Sequence, residues 1–170
     1  MNIRAATLNE VSTIFSFIQK KSEFDRNIGA YSGIIQVTED KIRQTLFGKV
    51  PFAYVLFAEK LDLEKLGSEE LDLDNFKNTI GFALYGFRYS SFVGQPSIWL
   101  DDLYVDEEMR SQGAGNALMS YLVGVGKGND CTHIAWTADA RNIRGLSFYK
   151  GLGAEIIETK GNRCFLKWVL

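Results

Sequence analysis

Between Trp99 and Ala117 the chain reads WLDDLYVDEEMRSQGAGNA, and no other stretch restricts the fold as much. An apolar run from Ile98 to Val105 predicts a strand. An acidic turn follows, and then Arg110-Ser111-Gln112-Gly113-Ala114-Gly115-Asn116. Beyond it Ala114, Ala117, Leu118, Tyr121, Leu122 and Val125 recur at helical spacing. A strand, a glycine-bearing loop and a helix together make a cradle for phosphate. Glycine lets the backbone approach an anion, and the unpaired N–H groups and dipole of a helix start favour negative charge. Arg110 stands at the mouth, where a guanidinium adds a charge-assisted contact. The loop points to a nucleotide-like or pyrophosphate ligand.

Spacing sorts the ligand classes that use such a loop. A P-loop requires Gly-Lys followed by Ser or Thr, whereas Lys127 lies in Gly126-Lys127-Gly128. A dinucleotide fingerprint beginning at Gly113 and Gly115 has Leu118 at its third glycine position and sits too late in the chain. What remains is Arg-x-x-Gly-x-Gly. It resembles the acetyl-CoA pyrophosphate loop of the GNAT superfamily of N-acetyltransferases. Downstream, Asn142-Ile143-Arg144-Gly145-Leu146-Ser147-Phe148-Tyr149-Lys150-Gly151-Leu152-Gly153-Ala154 resembles the family's Asn-x-x-Ala-x-x-Phe-Tyr segment, with Gly145 where alanine is usual. More narrowly, Leu46 to Pro51, Gly81 to Tyr85 and Leu100 to Val105 are similar to the diamine (spermidine/spermine, thialysine) branch. That similarity runs from about Phe24 to Glu155.

The resemblance implies an α/β GNAT fold. Its mixed, mostly antiparallel central sheet has six to seven strands, splays between the fourth and fifth, and carries about four helices. Residues 1–170 then form one domain. Leu61 to Asn78 reads as an acidic insertion where relatives have a tight hairpin: six carboxylates (Asp62, Glu64, Glu69, Glu70, Asp72, Asp74) face two lysines, Lys65 and Lys77. Elsewhere the pattern predicts a first strand over Asn2 to Ala6 and a capping box at Thr7-Leu8-Asn9-Glu10. A helix follows with Val11, Ile14, Phe15 and Ile18 inward, then a loop with irregular helix from Ser22 to Gln36. Thr38 caps a second helix, Glu155 to Glu158 and Arg163 to Val169 close the sheet, and Pro51 and Pro96 each stand at a strand start.

The resemblance also assigns roles. Leu103, Tyr104 and Val105 offer backbone groups to pantetheine and to the thioester oxygen, a preorganised oxyanion-type contribution. Ser111, Gln112, Gly113, Ala114, Gly115 and Asn116 hold the pyrophosphate with Arg110, and Asn142 and Gly145 complete the coenzyme site. Tyr149 protonates the departing thiolate, a task suited to a phenol that keeps its proton at neutral pH. Phe24 and Asp25 face the acceptor amine. Asp101 and Asp102 are the acid pair: strand alternation places them on opposite faces, one leading through water to the amine and the other binding the cation. Asp101 takes the catalytic position as well as a binding one. Arg141 and Arg144 depart from the branch pattern and face either the coenzyme phosphates or solvent.

Composition sets the outer limits. At 170 residues and 46% hydrophobic, the chain supports a substantial single core. A net charge of −2 leaves no basic excess for nucleic acid or anionic membrane. No apolar run reaches spanning length, and Met1-Asn2-Ile3-Arg4 does not begin a signal peptide. Cys131 and Cys164 lack metal-site spacing, lone His133 reads as structural, and no metal is expected. The expectation is a cytoplasmic, homodimeric, acetyl-CoA-dependent N-acetyltransferase for a small diamine-, polyamine- or thialysine-like amine. The alternatives are a protein or peptide acceptor, or a non-catalytic acyl-CoA-binding module.

Overall fold

The computed structural model describes residues 1–61 and 77–170. The acidic insertion read at 61–78 therefore lies almost wholly outside the described residues. Among these residues seven strands form one sheet: β1 (Asn2–Ala5), β2 (Tyr54–Leu61), β3 (Lys77–Ser90), β4 (Gln95–Val105), β5 (His133–Asp139), β6 (Glu155–Lys160) and β7 (Arg163–Val169). Their order is β1-β2-β3-β4-β5-β7-β6. Every pairing is antiparallel except β4 with β5. Among the described residues four α-helices flank the sheet: α1 (Val11–Asn27), α2 (Glu39–Leu46), α3 (Ala114–Gly128) and α4 (Ile143–Gly151).

The expected α/β class and splayed sheet are present. The parallel β4–β5 ladder holds only at Ile98↔Ile134 and Trp99↔Ala135, after which β4 continues to Val105 and β5 to Asp139 without each other. A wedge opens between them from residue 100 onward.

Each sheet face buries its own core. Val11, Ile14 and Phe17 of α1 and Ile42 of α2 pack on Val55, Phe57 and Phe82. Leu118, Met119 and Leu122 of α3 pack on Ile98, Ile134 and Leu166 across the opposite face. Each such side chain contributes about 1.5–3 kcal/mol on burial. At the sheet edge Glu59 is 3% exposed, and Arg4 answers it with Nε donating to Oε1 at 2.7 Å while Asn2 donates to Oε2 at 2.9 Å.

Two expectations about local structure are corrected. Ser22 to Asn27 is not loop but the last turns of α1, held by the i,i+4 pair Lys21–Asp25. The polar run Gln19-Lys20-Lys21-Ser22-Glu23 hides this helix from an apolar-periodicity reading. Phe24 and Asp25 thus stand on a rigid element. The capping box at Thr7 does form, with the Glu10 carboxylate accepting from the Thr7 N–H at 2.8 Å, but it opens a single 3-10 turn ahead of α1.

Candidate active site

A cleft of about 710 Å³ fills the wedge and runs from the α1 end of β4 to the start of α3. Of the residues predicted for the site, Phe24, Asp25, Asp101, Asp102, Leu103, Tyr104, Val105, Arg110, Ser111, Gly113, Ala114, Gly115, Asn116, Asn142, Gly145 and Tyr149 all line it. Gln112 does not. Its side chain accepts from Lys60 Nζ at 3.0 Å and donates to the Glu108 carbonyl at 3.1 Å, which turns it away to the surface.

The loop ahead of α3 has the backbone expected of an anion cradle. Ser111 and Gly113 adopt left-handed conformations, with φ of 62° and 90°, and Gly113 is the N-cap of α3. No atom lies within 4 Å of where a Gly113 Cβ would stand, so the space above the cap is open. A Cβ on Gly115 would meet the Phe148 ring at 3.1 Å, so this glycine allows α4 to approach α3 closely. Arg144 reaches across from α4 and its guanidinium donates to Ser111 Oγ at 3.0 Å. That settles one open direction: Arg144 faces the loop. Arg141 instead grips Asp139, with Nε–Oδ1 at 2.7 Å and NH2–Oδ2 at 2.8 Å, and holds that carboxyl down at about 2.

Arg110 has a different place from the one expected. Its Nε donates to the Val105 carbonyl at 3.0 Å, and its guanidinium lies over the rings of Phe24 and Tyr104, 5.0 and 5.4 Å from their centroids. It pins α1 to the end of β4. Asn142 is likewise a local cap: its Oδ1 accepts from the Gly145 N–H at 2.9 Å. A Cβ at position 145 would sit 2.5 Å from Asn142 Nδ2, so a side chain here would have to displace the capping amide.

The α1 end of the cleft is acidic, and a bulge makes it so. The β3–β4 register slips between Leu84↔Asp102 and Tyr85↔Leu100, leaving Asp101 as the extra residue. Side-chain parity inverts there. Ile98 and Leu100 pack on the α3 side, as do Leu103 and Val105, whereas Tyr104 packs on the α1 side. Asp102 turns to α1 with it, its Oδ1 3.8 Å from Lys21 Nζ. The bulge interrupts the simple alternation on which the opposite-face reading rested, and both residues line one cleft. Burial pushes the Asp102 carboxyl up to about 6; Lys21 pulls against this, and Asp101 and Asp25 add to it. Lys21 itself was not anticipated. Its signal, an i,i+4 acid partner, was available only if the segment was read as helix.

Tyr149 is buried among Trp136 and Phe148, with ring centroids 4.9 and 5.2 Å away. Burial, and after it the charges of Asp102 and Asp25, holds its phenol well above the ordinary value. A proton therefore stays on its Oη throughout the neutral range. Among the described residues no cluster of His, Cys, Asp and Glu could hold a metal ion, and no helix is long and apolar enough to cross a membrane.

Comparison with known proteins decides the family. The model of the Acetyltransferase (GNAT) family matches residues 56–154, which takes in the wedge, the glycine loop and α4. This chain belongs to the GNAT family. It is an N-acetyltransferase, and its cofactor is acetyl-CoA. The chain is 29% identical over 164 residues to the thialysine N-epsilon-acetyltransferase of Bos taurus, covering 96% of this chain and 89% of that one. It is 23% identical over 192 residues to an L-ornithine N5-acetyltransferase of Arabidopsis thaliana, covering 92% and 80%. The fold matches Arabidopsis thaliana NAA60 in complex with a bisubstrate analogue, with a TM-score of 0.68, 13% identity, and 99% and 98% of the two chains covered. The residues of the wedge suit a pyrophosphate-bearing coenzyme: open space over a left-handed glycine cap, a helix start, and Arg144 alongside.

Proposed function

We propose that this GNAT enzyme acetylates a small, cationic primary amine by direct transfer within a ternary complex. One observation carries the reading: the phosphate cradle and a cluster of three carboxylates, Asp25, Asp101 and Asp102, occupy opposite ends of a single cleft. A cluster of that sign attracts an ammonium. The names of the relatives, a thialysine and an ornithine acetyltransferase, fit a small amine.

Acetyl-CoA supplies an activated acetyl thioester, and the chain does the rest. The N–H groups of Ser111 and Gly113 to Asn116 bind its phosphates, with Arg144 adding charge beside them. The edge of β4 beyond Trp99 turns its unpaired backbone groups toward the wedge, where they hold the pantetheine arm and the thioester oxygen. Asp102 takes a proton from the incoming ammonium, since a carboxyl near 6 is ionised at neutral pH and still basic enough to accept. Tyr149 keeps a proton at Oη for the leaving sulfur. Asp101, exposed on the bulge, reads the acceptor's charge. This exchanges the roles that sequence alone gave the acid pair. No cysteine lines the cleft, so no acetylated thiol intervenes.

Two buried free cysteines, Cys131 and Cys164, agree with a reducing, cytoplasmic setting, and the family resemblance with a homodimer. Thiol release measured against diamines, polyamines, thialysine, amino acids and peptides tests the proposal. Turnover with small cationic amines and none with peptides is expected; the reverse order would transfer the assignment to a protein or peptide amine.

A further inference from the structure

The parallel ladder between β4 and β5 ends at Trp99↔Ala135, so Leu100 and Trp136 are the first residues on either side of the gap. Both line the cleft, and both are only 2% exposed. They belong to the core beneath α3 and close the narrow end of the wedge from that side. Trp136 is the bulkiest buried side chain among the described residues. Its indole N–H is buried and has no hydrogen-bond partner among them. A phenylalanine would fill part of the same space and leave no donor unpaired. What the tryptophan adds is therefore its second ring, or a donor for a bound molecule.

Tyr149 fixes which part of a bound coenzyme comes here. Its ring lies 4.9 Å from that of Trp136, centroid to centroid. A sulfur placed to take the Tyr149 proton carries its acyl group one bond further on. The pantetheine arm, running in from the glycine loop, fills the wide end of the wedge, so the acyl chain is directed into the apex.

We infer that Trp136, with Leu100 opposite, sets the length of the acyl group this enzyme transfers: acetyl fits beneath the indole and longer chains do not. The inference rests on the proposed placing of the coenzyme in the wedge with its sulfur at Tyr149. Protein interiors are close-packed, so each further methylene has to displace side chains that are already buried. Behind the apex the ladder pairs Trp99↔Ala135 and Ile98↔Ile134 bar the way, and both isoleucines are fully buried. Toward α1 lies the acceptor end, where a longer chain would displace the amine.

The test compares acetyl-, propionyl- and butyryl-CoA as donors to an amine that the enzyme turns over. In the native protein kcat/KM should fall roughly tenfold or more for each added methylene, as in other apolar pockets. Trp136→Phe should bring propionyl-CoA within a few-fold of acetyl-CoA, and Trp136→Leu should extend this to butyryl-CoA. Poor folding lowers all three rates alike, so the order of the donors is the readout. Calorimetry on the native protein without an amine is a second measurement, in which butyryl-CoA should bind roughly tenfold more weakly than acetyl-CoA. Native protein that uses or binds the two equally would overturn the inference. So would an acetyl preference unchanged in both variants with their circular dichroism retained, since the limit would then lie elsewhere. Collapse of acetyl-CoA affinity in Trp136→Phe, with no gain for longer chains, would overturn it by making the indole a hydrogen-bond donor to the coenzyme. In each of these cases turnover of a small cationic amine leaves the proposed function standing. No turnover with any donor and any amine would overturn that function itself.

Discussion

At the scale of single residues, the proposed reaction depends on two groups whose proton affinities are displaced upward for the same main reason, burial. Tyr149 is raised so far that it remains a proton donor, and Asp102 only far enough to sit near neutrality. Tyr149→Phe keeps the ring and its packing on Trp136, so kcat should fall roughly 10²-fold while acetyl-CoA affinity measured by calorimetry is little changed. Turnover within twofold of the native protein would make Tyr149 a packing residue. Asp102 gives a prediction with a sign. Its carboxyl moves from 3.8 to about 6 on folding, so the folded state takes up a proton between those values and stability falls as pH rises through them. Activity has the opposite slope, rising through about 6 as the carboxylate forms. Asp102→Asn should abolish that limb of the pH–rate profile and unfold at a higher temperature than the native protein above pH 6. The difference in unfolding temperature should vanish below about pH 3.8. A rate profile that keeps its limb near 6 in the variant would remove Asp102 from the proton path.

At the scale of elements, the glycine loop and α3 are the anchor we propose for the coenzyme. Gly113 takes φ 90° at the N-cap with open space above it, a backbone that a β-branched residue adopts only under strain. Gly113→Val should therefore weaken acetyl-CoA binding severely in calorimetry while circular dichroism shows the helices retained. Unchanged affinity would take the pyrophosphate away from this loop. This element was legible in the sequence because its signals are local: a strand run, glycines, then helical spacing. Two other parts of the site were not, each for a physical reason. The final turns of α1 are stabilised by Lys21–Asp25 rather than by an apolar stripe, so hydrophobic periodicity ends before the helix does. The bulge at Asp101 is a property of how β4 pairs with β3, and a strand read alone alternates without it. Arg110 fails differently. It stands where the motif puts it, yet the Val105 carbonyl and the Phe24 and Tyr104 rings compete for its guanidinium and hold it.

At the scale of the whole molecule, two properties follow from surface and field. Of the apolar residues at the end of β7, Trp168 and Leu170 pack onto the molecule's own core and Val169 is exposed, as are Ile156 and Ile157 of the edge strand β6. The dimer we propose would cover these exposed apolar residues, and sedimentation at micromolar concentration should give a species near twice the 19.1 kDa chain mass. A single species at the chain mass would defeat it. The field of the cleft yields the other expectation. The chain is nearly neutral at −2, so attraction for a cation comes from the local group Asp25, Asp101 and Asp102, partly offset by Lys21. Salt at 0.1 M screens beyond about 10 Å, so the KM of a dication should rise with ionic strength. A neutral-tailed monoamine of the same length should respond less. Because Lys21 already occupies Asp25 and Asp102, the exposed Asp101 is the carboxylate left to meet a second ammonium. Asp101→Asn should then raise KM for the dication several-fold more than for the monoamine, with kcat for the monoamine nearly kept. Equal effects on both amines, or a salt-independent KM, would show that the bulge does not read acceptor charge and would favour a peptide amine over a small cation.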